Sequence, residues 1–196
     1  MTIVRRSQVP RYAKYESYKP FLREDFQYRC AYCQHHERVF ALLRSMTIDH
    51  FRPKILFPNL RVEYTNLYYC CGECNTFKAD NWPTAEELAA DLRFVDVCLD
   101  EWEEHIALDQ HTMKGKTLAG QFTVEHLRLA RPALTQRNRE LKARIIRLQG
   151  DLKRIADIRN RSSGIVNRAR LQDLNEIEDN LRSDLQELLS PPPLSH

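Results

Sequence analysis

The chain has 196 residues, 42% of them apolar and 29% charged, which suits one sizeable core or a small domain with an appendage. No stretch approaches the roughly 18 apolar residues of a membrane span, and no apolar run follows the basic N-terminus as it would in a signal peptide. A cytoplasmic protein without membrane contact is expected, and a net charge of +3 is too small to argue for nucleic acid by itself.

Residues 1–27 mix basic and aromatic side chains. Tyr15, Tyr18, Leu22 and Phe26 are spaced for a short helix with one face on a core. Up to position 29 seven Lys/Arg stand against three acids, so this arm could steer onto phosphate. Residues 86–109 reverse the balance, with nine acids against Arg93 alone.

Four of the six cysteines form two CxxC pairs, Cys30/Cys33 and Cys71/Cys74. In a reducing compartment such pairs read as a metal site rather than disulfides. Four thiolates close a tetrahedral zinc shell, so the site is structural and not catalytic. Cys70 and Cys98 remain as small buried residues, and His35 and His36 as surface residues.

Thirty-seven residues separate Cys33 from Cys71, too many for a compact zinc ribbon. Within them, residues 45–51 and 66–70 have the composition of short strands, separated by Pro- and Asn-rich turns. A helix starts near Gly72 and breaks at Asn81-Trp-Pro. Thr84-Ala-Glu-Glu then fits a capping box. The order strand, loop, strand, helix gathers Asp49, His50, Asn66 and Asn75 around the helix that the metal would hold. Further on, Leu141, Ile145, Leu148, Leu152 and Ile155 form an amphipathic stripe, Ser162-Ser-Gly164 interrupts it, and Leu174 to Leu188 rebuild it until Pro191. Helices over 132–161 and 166–189 would pair as an antiparallel hairpin. Its basic residues, Arg137 to Arg154, suit packing or partner docking better than DNA.

Cys30-Ala-Tyr-Cys33, Ile48-Asp-His-Phe-Arg-Pro-Lys54, Asn66-Leu and Cys71-Gly-Glu-Cys-Asn-Thr-Phe-Lys78 together resemble the HNH family of ββα-metal endonucleases. The third family position, often His, is Asn75 here. The resemblance implies an α+β fold: a zinc-stapled ββα module surrounded by helices. It implies hydrolysis of a phosphodiester, leaving 5′-phosphate and 3′-hydroxyl ends. His50 would be the general base, its ordinary pKa near 6.5 suiting that task. A distorted strand end would let Asp49 join Asn75 in binding one Mg²⁺ or Mn²⁺ through hard oxygens. Asn66 would hold the loop and orient the histidine, with Arg52, Lys54 and Lys78 on phosphate. Softer matches, such as the run from Phe122-Thr-Val-Glu-His126 to Arg131-Pro132, resemble a subset that includes nuclease subunits of Septu-type and retron-associated anti-phage systems, which work beside an ATPase.

The expected organisation is a basic and aromatic helical arm (1–27), the nuclease module (28–80), a helical accessory region (81–131), and a helical hairpin with a Pro-rich tail (132–196) that could also join two copies. DNA is the favoured substrate, although no residue separates it from RNA. The rivals are a zinc-bearing binding or assembly module without turnover, and an RNA-cutting toxin.

Overall fold

The computed structural model describes residues 2–40, 46–161 and 168–189. Ser45, the Ser162–Gly164 break and the Pro-rich tail lie outside the described residues. The chain is a mixed α+β protein that divides into two compact units, Met1–Gln136 and Arg137–His196.

At the centre of the first unit are two antiparallel strands, β1 (Met46–His50) and β2 (Leu67–Cys71). Their register sets Met46 opposite Cys71, Asp49 opposite Tyr68 and His50 opposite Leu67. Every residue of β2 is buried, because helix α1 (Lys19–Asp25) packs against it and helix α2 (Gly72–Lys78) packs against both strands. Aromatic side chains fill the space around the hairpin. Phe26 and Phe51 both lie against the Tyr68 ring, with centroids 5.3 and 4.7 Å away, and Tyr18 meets Tyr64 at 5.2 Å. The strands are short, so the large apolar area of these rings adds to what holds them.

The N-terminal arm is helical only from Tyr15 to Asp25, and residues 2–14 have no regular secondary structure. Pro10 and the β-branched residues before it account for that. Its cations are largely spent on the core. Arg5 donates to the carbonyls of Tyr64 and Leu67, both at 2.8 Å, and its guanidinium lies 4.6 Å from the Tyr68 ring centre. Arg6 pairs with buried Asp25 at 2.7 Å, Lys19 donates to the Met46 carbonyl, and Arg23 binds Glu37. The arm is therefore a strap on the hairpin, and four of its six cations are committed to protein groups.

The accessory region departs from the all-helical expectation. Helix α3 (Ala85–Ala89) does begin with a capping box between Thr84 and Glu87, and α4 (Trp102–His105) is a single turn. Strands β3 (Ile106–Asp109) and β4 (Thr112–Gly115) then form a second antiparallel hairpin, turning at Gln110 with φ 55°. Four-residue strands carry too little alternation to stand out in sequence. Helix α5 (Leu118–His126) closes on this hairpin so tightly that a Cβ on Gly120 would sit 1.9 Å from the His105 carbonyl oxygen. That approach explains the glycine.

In the second unit, α6 (Pro132–Arg161), whose first turns belong to the first unit, and α7 (Arg168–Leu189) are joined by ion pairs. Arg144 meets Asp184 at 3.3 Å, and Arg159 meets Glu178 at 2.5 Å. No helix among the described residues is long and apolar enough to cross a membrane.

Arg5→Ala would remove two hydrogen bonds to carbonyls beneath the strap and the guanidinium's contact with the Tyr68 ring, at a cost of about 3 kcal/mol. Urea unfolding of the variant should show that loss as a lower midpoint at unchanged slope.

Candidate active site and metal centre

Two tight turns build the metal centre. In the first, Gln34 N–H donates to the Cys30 carbonyl and Cys30 N–H to the His35 carbonyl, while Arg29 bridges to His36. Gln34 takes a positive φ of 59° to close it. In the second, Cys71 caps α2, its Sγ accepting from Cys74 N–H at 3.4 Å. Ala31 N–H donates to the Tyr69 carbonyl at 2.8 Å and fastens the first turn to β2. The Sγ atoms of Cys30, Cys33, Cys71 and Cys74 consequently lie within 4.8 Å of one another, all buried.

Four sulfurs this close fit a tetrahedral ion with metal–sulfur bonds of about 2.3 Å, the geometry of a structural zinc site. Burial pushes the Cys30 and Cys33 thiols up, whereas hydrogen bonds from the neighbouring thiols push Cys71 down. Arg131 stands just outside the cluster, donating to Glu73 at 2.9 Å and lying 3.7 Å from the Cys74 sulfur. Cys70 is buried beside the cluster and reaches Asn75 Oδ1 at 3.9 Å, while Cys98 accepts from Arg5. His35 is buried at 3% exposure, against the surface position expected for it, because its backbone closes the first turn.

Next to the cluster, β1, the following loop and α2 enclose a cleft of about 330 Å³ lined by Tyr15, Asp49, His50, Lys54, Asn75 and Asp80 among others. His50 is held in one orientation. Its Nε2 lies 2.9 Å from the Arg61 carbonyl oxygen, an atom that can only accept, so Nε2 carries the hydrogen and Nδ1 keeps the lone pair. The Tyr15 ring meets the imidazole edge-on at 4.7 Å. Burial lowers the His50 pKa below its ordinary value, with the Lys54 charge adding to the effect, and leaves the ring neutral at neutral pH.

Asp49 sits in a buried network. Its Oδ2 accepts from the Tyr32 hydroxyl and lies 3.2 Å from the Lys78 ammonium, which also donates to the His50 carbonyl at 3.0 Å. Asn75 and Asp80 line the same cleft as Asp49. Lys78 is fully buried and serves this network, so the phosphate contact expected of it is corrected: no part of its side chain reaches solvent.

Asn66 lies outside the cleft lining. Its side chain accepts from Arg52 N–H at 2.9 Å and donates to the Arg52 carbonyl at 3.0 Å, clamping the loop after β1. Arg52 and Lys54 are exposed, Arg52 over the Phe57 and Trp82 rings and Lys54 over Tyr15. Sequence reasoning did not assign Tyr32, Tyr15 or Arg131 to the site. Tyr32 had a signal of its own, since it sits inside the first CxxC pair. Nothing local marks the other two.

The chain is similar to Septu protein PtuB of Bacillus thuringiensis, with 32% identity over 101 residues. The match takes in 52% of this chain and 36% of that protein, so the chain spans little more than a third of its relative's length. No family model and no solved structure matches the chain.

Stripping the metal with a strong chelator, or Cys71→Ser, should unfold the module around β1, β2 and α2, because structural zinc contributes on the order of 10 kcal/mol. Elemental analysis of the native protein should return one zinc per chain, and near-UV circular dichroism should collapse when it is removed. Lys78→Met leaves Asp49 as an uncompensated buried charge and should cost about 3–5 kcal/mol in denaturant unfolding.

Proposed function

We propose that this chain is a metal-dependent endonuclease of the HNH type that hydrolyses phosphodiester bonds in DNA. One observation carries the reading: His50, fixed through Nε2 with Nδ1 as its acceptor, shares a single cleft with Asp49 and Asn75. A structural zinc module has no need of such a cleft.

The residues divide the work as follows. His50 Nδ1 takes a proton from the attacking water, a task for a neutral imidazole, and burial keeps the ring in that form. The Arg61 carbonyl and the Tyr15 ring hold the base in place, so little reorganisation is needed at the moment of attack. Asp49 and Asn75 would hold one Mg²⁺ or Mn²⁺, which when bound supplies positive charge to the phosphate and leaving oxygen. Tyr32 and Lys78 orient the Asp49 carboxylate from behind. Lys54, on the cleft wall, is placed to meet a phosphate.

The similarity to a Septu protein supports a biological setting in anti-phage defence, with this chain as nuclease effector beside an ATPase partner. We read α6 and α7 as an antiparallel hairpin that docks that partner or a second copy. The Lys78–Asp49 pair favours the rival reading, an assembly module without turnover, since the buried ammonium already neutralises the carboxylate that a catalytic ion would use.

Supercoiled plasmid decides between them. The zinc-loaded protein should nick it with Mg²⁺ or Mn²⁺ and not with EDTA, and His50→Ala should lower the rate by about a thousandfold. Cleavage that survives in the variant would sink the proposed base. A folded, zinc-loaded protein that cuts neither DNA nor RNA, alone or with its partner, would leave the assembly module standing.

A further inference from the structure

The loop after β1 ends in two adjacent, exposed aliphatic side chains, Ile55 at 70% and Leu56 at 56%. Single apolar residues on a surface are ordinary and decide nothing. Three other features set this pair apart.

The tip is held rigidly. The Pro53 carbonyl accepts from both Leu56 N–H (3.0 Å) and Phe57 N–H (2.9 Å), and Asn66 clamps the backbone of Arg52 from both sides. The turn therefore holds the backbone that presents the aliphatic pair to solvent. The tip also stands at the cleft, for Pro53 and Lys54 line it together with His50. Finally, the loop carries charge of one sign. Between Asp49 and Glu63 the chain has Arg52, Lys54 and Arg61 and no acid, and all three cations are exposed.

Rigid aliphatic groups between cations match a polyanion with an apolar interior. Duplex DNA is such a partner, with phosphates outside and stacked bases inside, and proteins that open a groove insert Ile, Leu or Phe between base steps while Arg and Lys hold the flanking phosphates. We infer that Ile55 and Leu56 form a wedge that parts a base step beside the phosphate presented to His50, with Lys54 and Arg61 on the neighbouring phosphates. This rests on the nuclease reading and adds the form of its substrate: a duplex, unstacked at the cut.

The test compares the wild type, the double variant Ile55→Ser/Leu56→Ser and the conservative swap Ile55→Leu/Leu56→Ile. Each is assayed on two duplexes that differ only by one unpaired base at the centre. The double variant should lose about tenfold or more in kcat/KM on the fully paired duplex and less than about threefold on the other, because the unpaired base supplies the unstacking that the wedge no longer does. The conservative swap should stay near wild type on both. Equal losses on the two duplexes, as misfolding would also give, overturn the wedge while the nuclease reading stands. So does unchanged cleavage, and if binding of a protein partner is lost at the same time the tip is a protein-docking surface. A wild type that cuts neither duplex, alone or with its partner, removes the wedge and the duplex substrate it requires, and cleavage of RNA in the same assay would leave the nuclease reading standing without it.

Discussion

Four sulfurs drawn within 4.8 Å of one another govern this unit. They bring residues 30 and 74 together across a long excursion of chain, and the entropy of closing such a loop must be met by something stronger than two five-residue strands. A metal ion bound by four thiolates would meet that requirement. The second CxxC turn is the first turn of α2, and the helix runs back across the hairpin. The cleft is a by-product of that crossing: its walls are β1 on one side and the exposed part of α2 on the other.

The same geometry explains why a lysine is buried. Lys78 ends α2 and points beneath the strand that carries Asp49 and His50, where its ammonium serves a carboxylate and a strand carbonyl at once. A buried charge pair contributes little net stability. It does, however, fix the carboxylate with the Tyr32 hydroxyl as third member, so that one oxygen is committed inward. Position, rather than stability, is what this network contributes.

Sequence made the metal centre legible because its signal is discrete: four cysteines at two identical spacings admit few other readings. Strands β1 and β2 and helix α2 followed from β-branched and aromatic runs set between turn residues. The roles of Lys78 and the N-terminal cations were illegible for one reason. A charge in a sequence carries no mark of whether it faces water or a buried carbonyl, and Arg5, Arg6 and Lys78 all face inward. The β3–β4 hairpin was missed for a different reason, being too short to show a period. Tyr15 reaches His50 from far back along the chain, a proximity that only the folded arm creates.

These corrections change where the field of the molecule lies. With Arg5, Arg6, Lys19 and Arg23 bound to protein groups, the arm that looked like an electrostatic guide is mostly neutralised at home. Arg52, Lys54 and Arg61, grouped on one clamped loop, remain exposed beside His50. A polyanion approaching the first unit thus meets positive charge next to the cleft itself, and the cations that draw it in belong to the loop whose carbonyl at Arg61 fixes the histidine. On the nuclease reading proposed above, attraction and alignment would be carried by one short segment, and a substrate bound for its charge would already lie against the oriented imidazole.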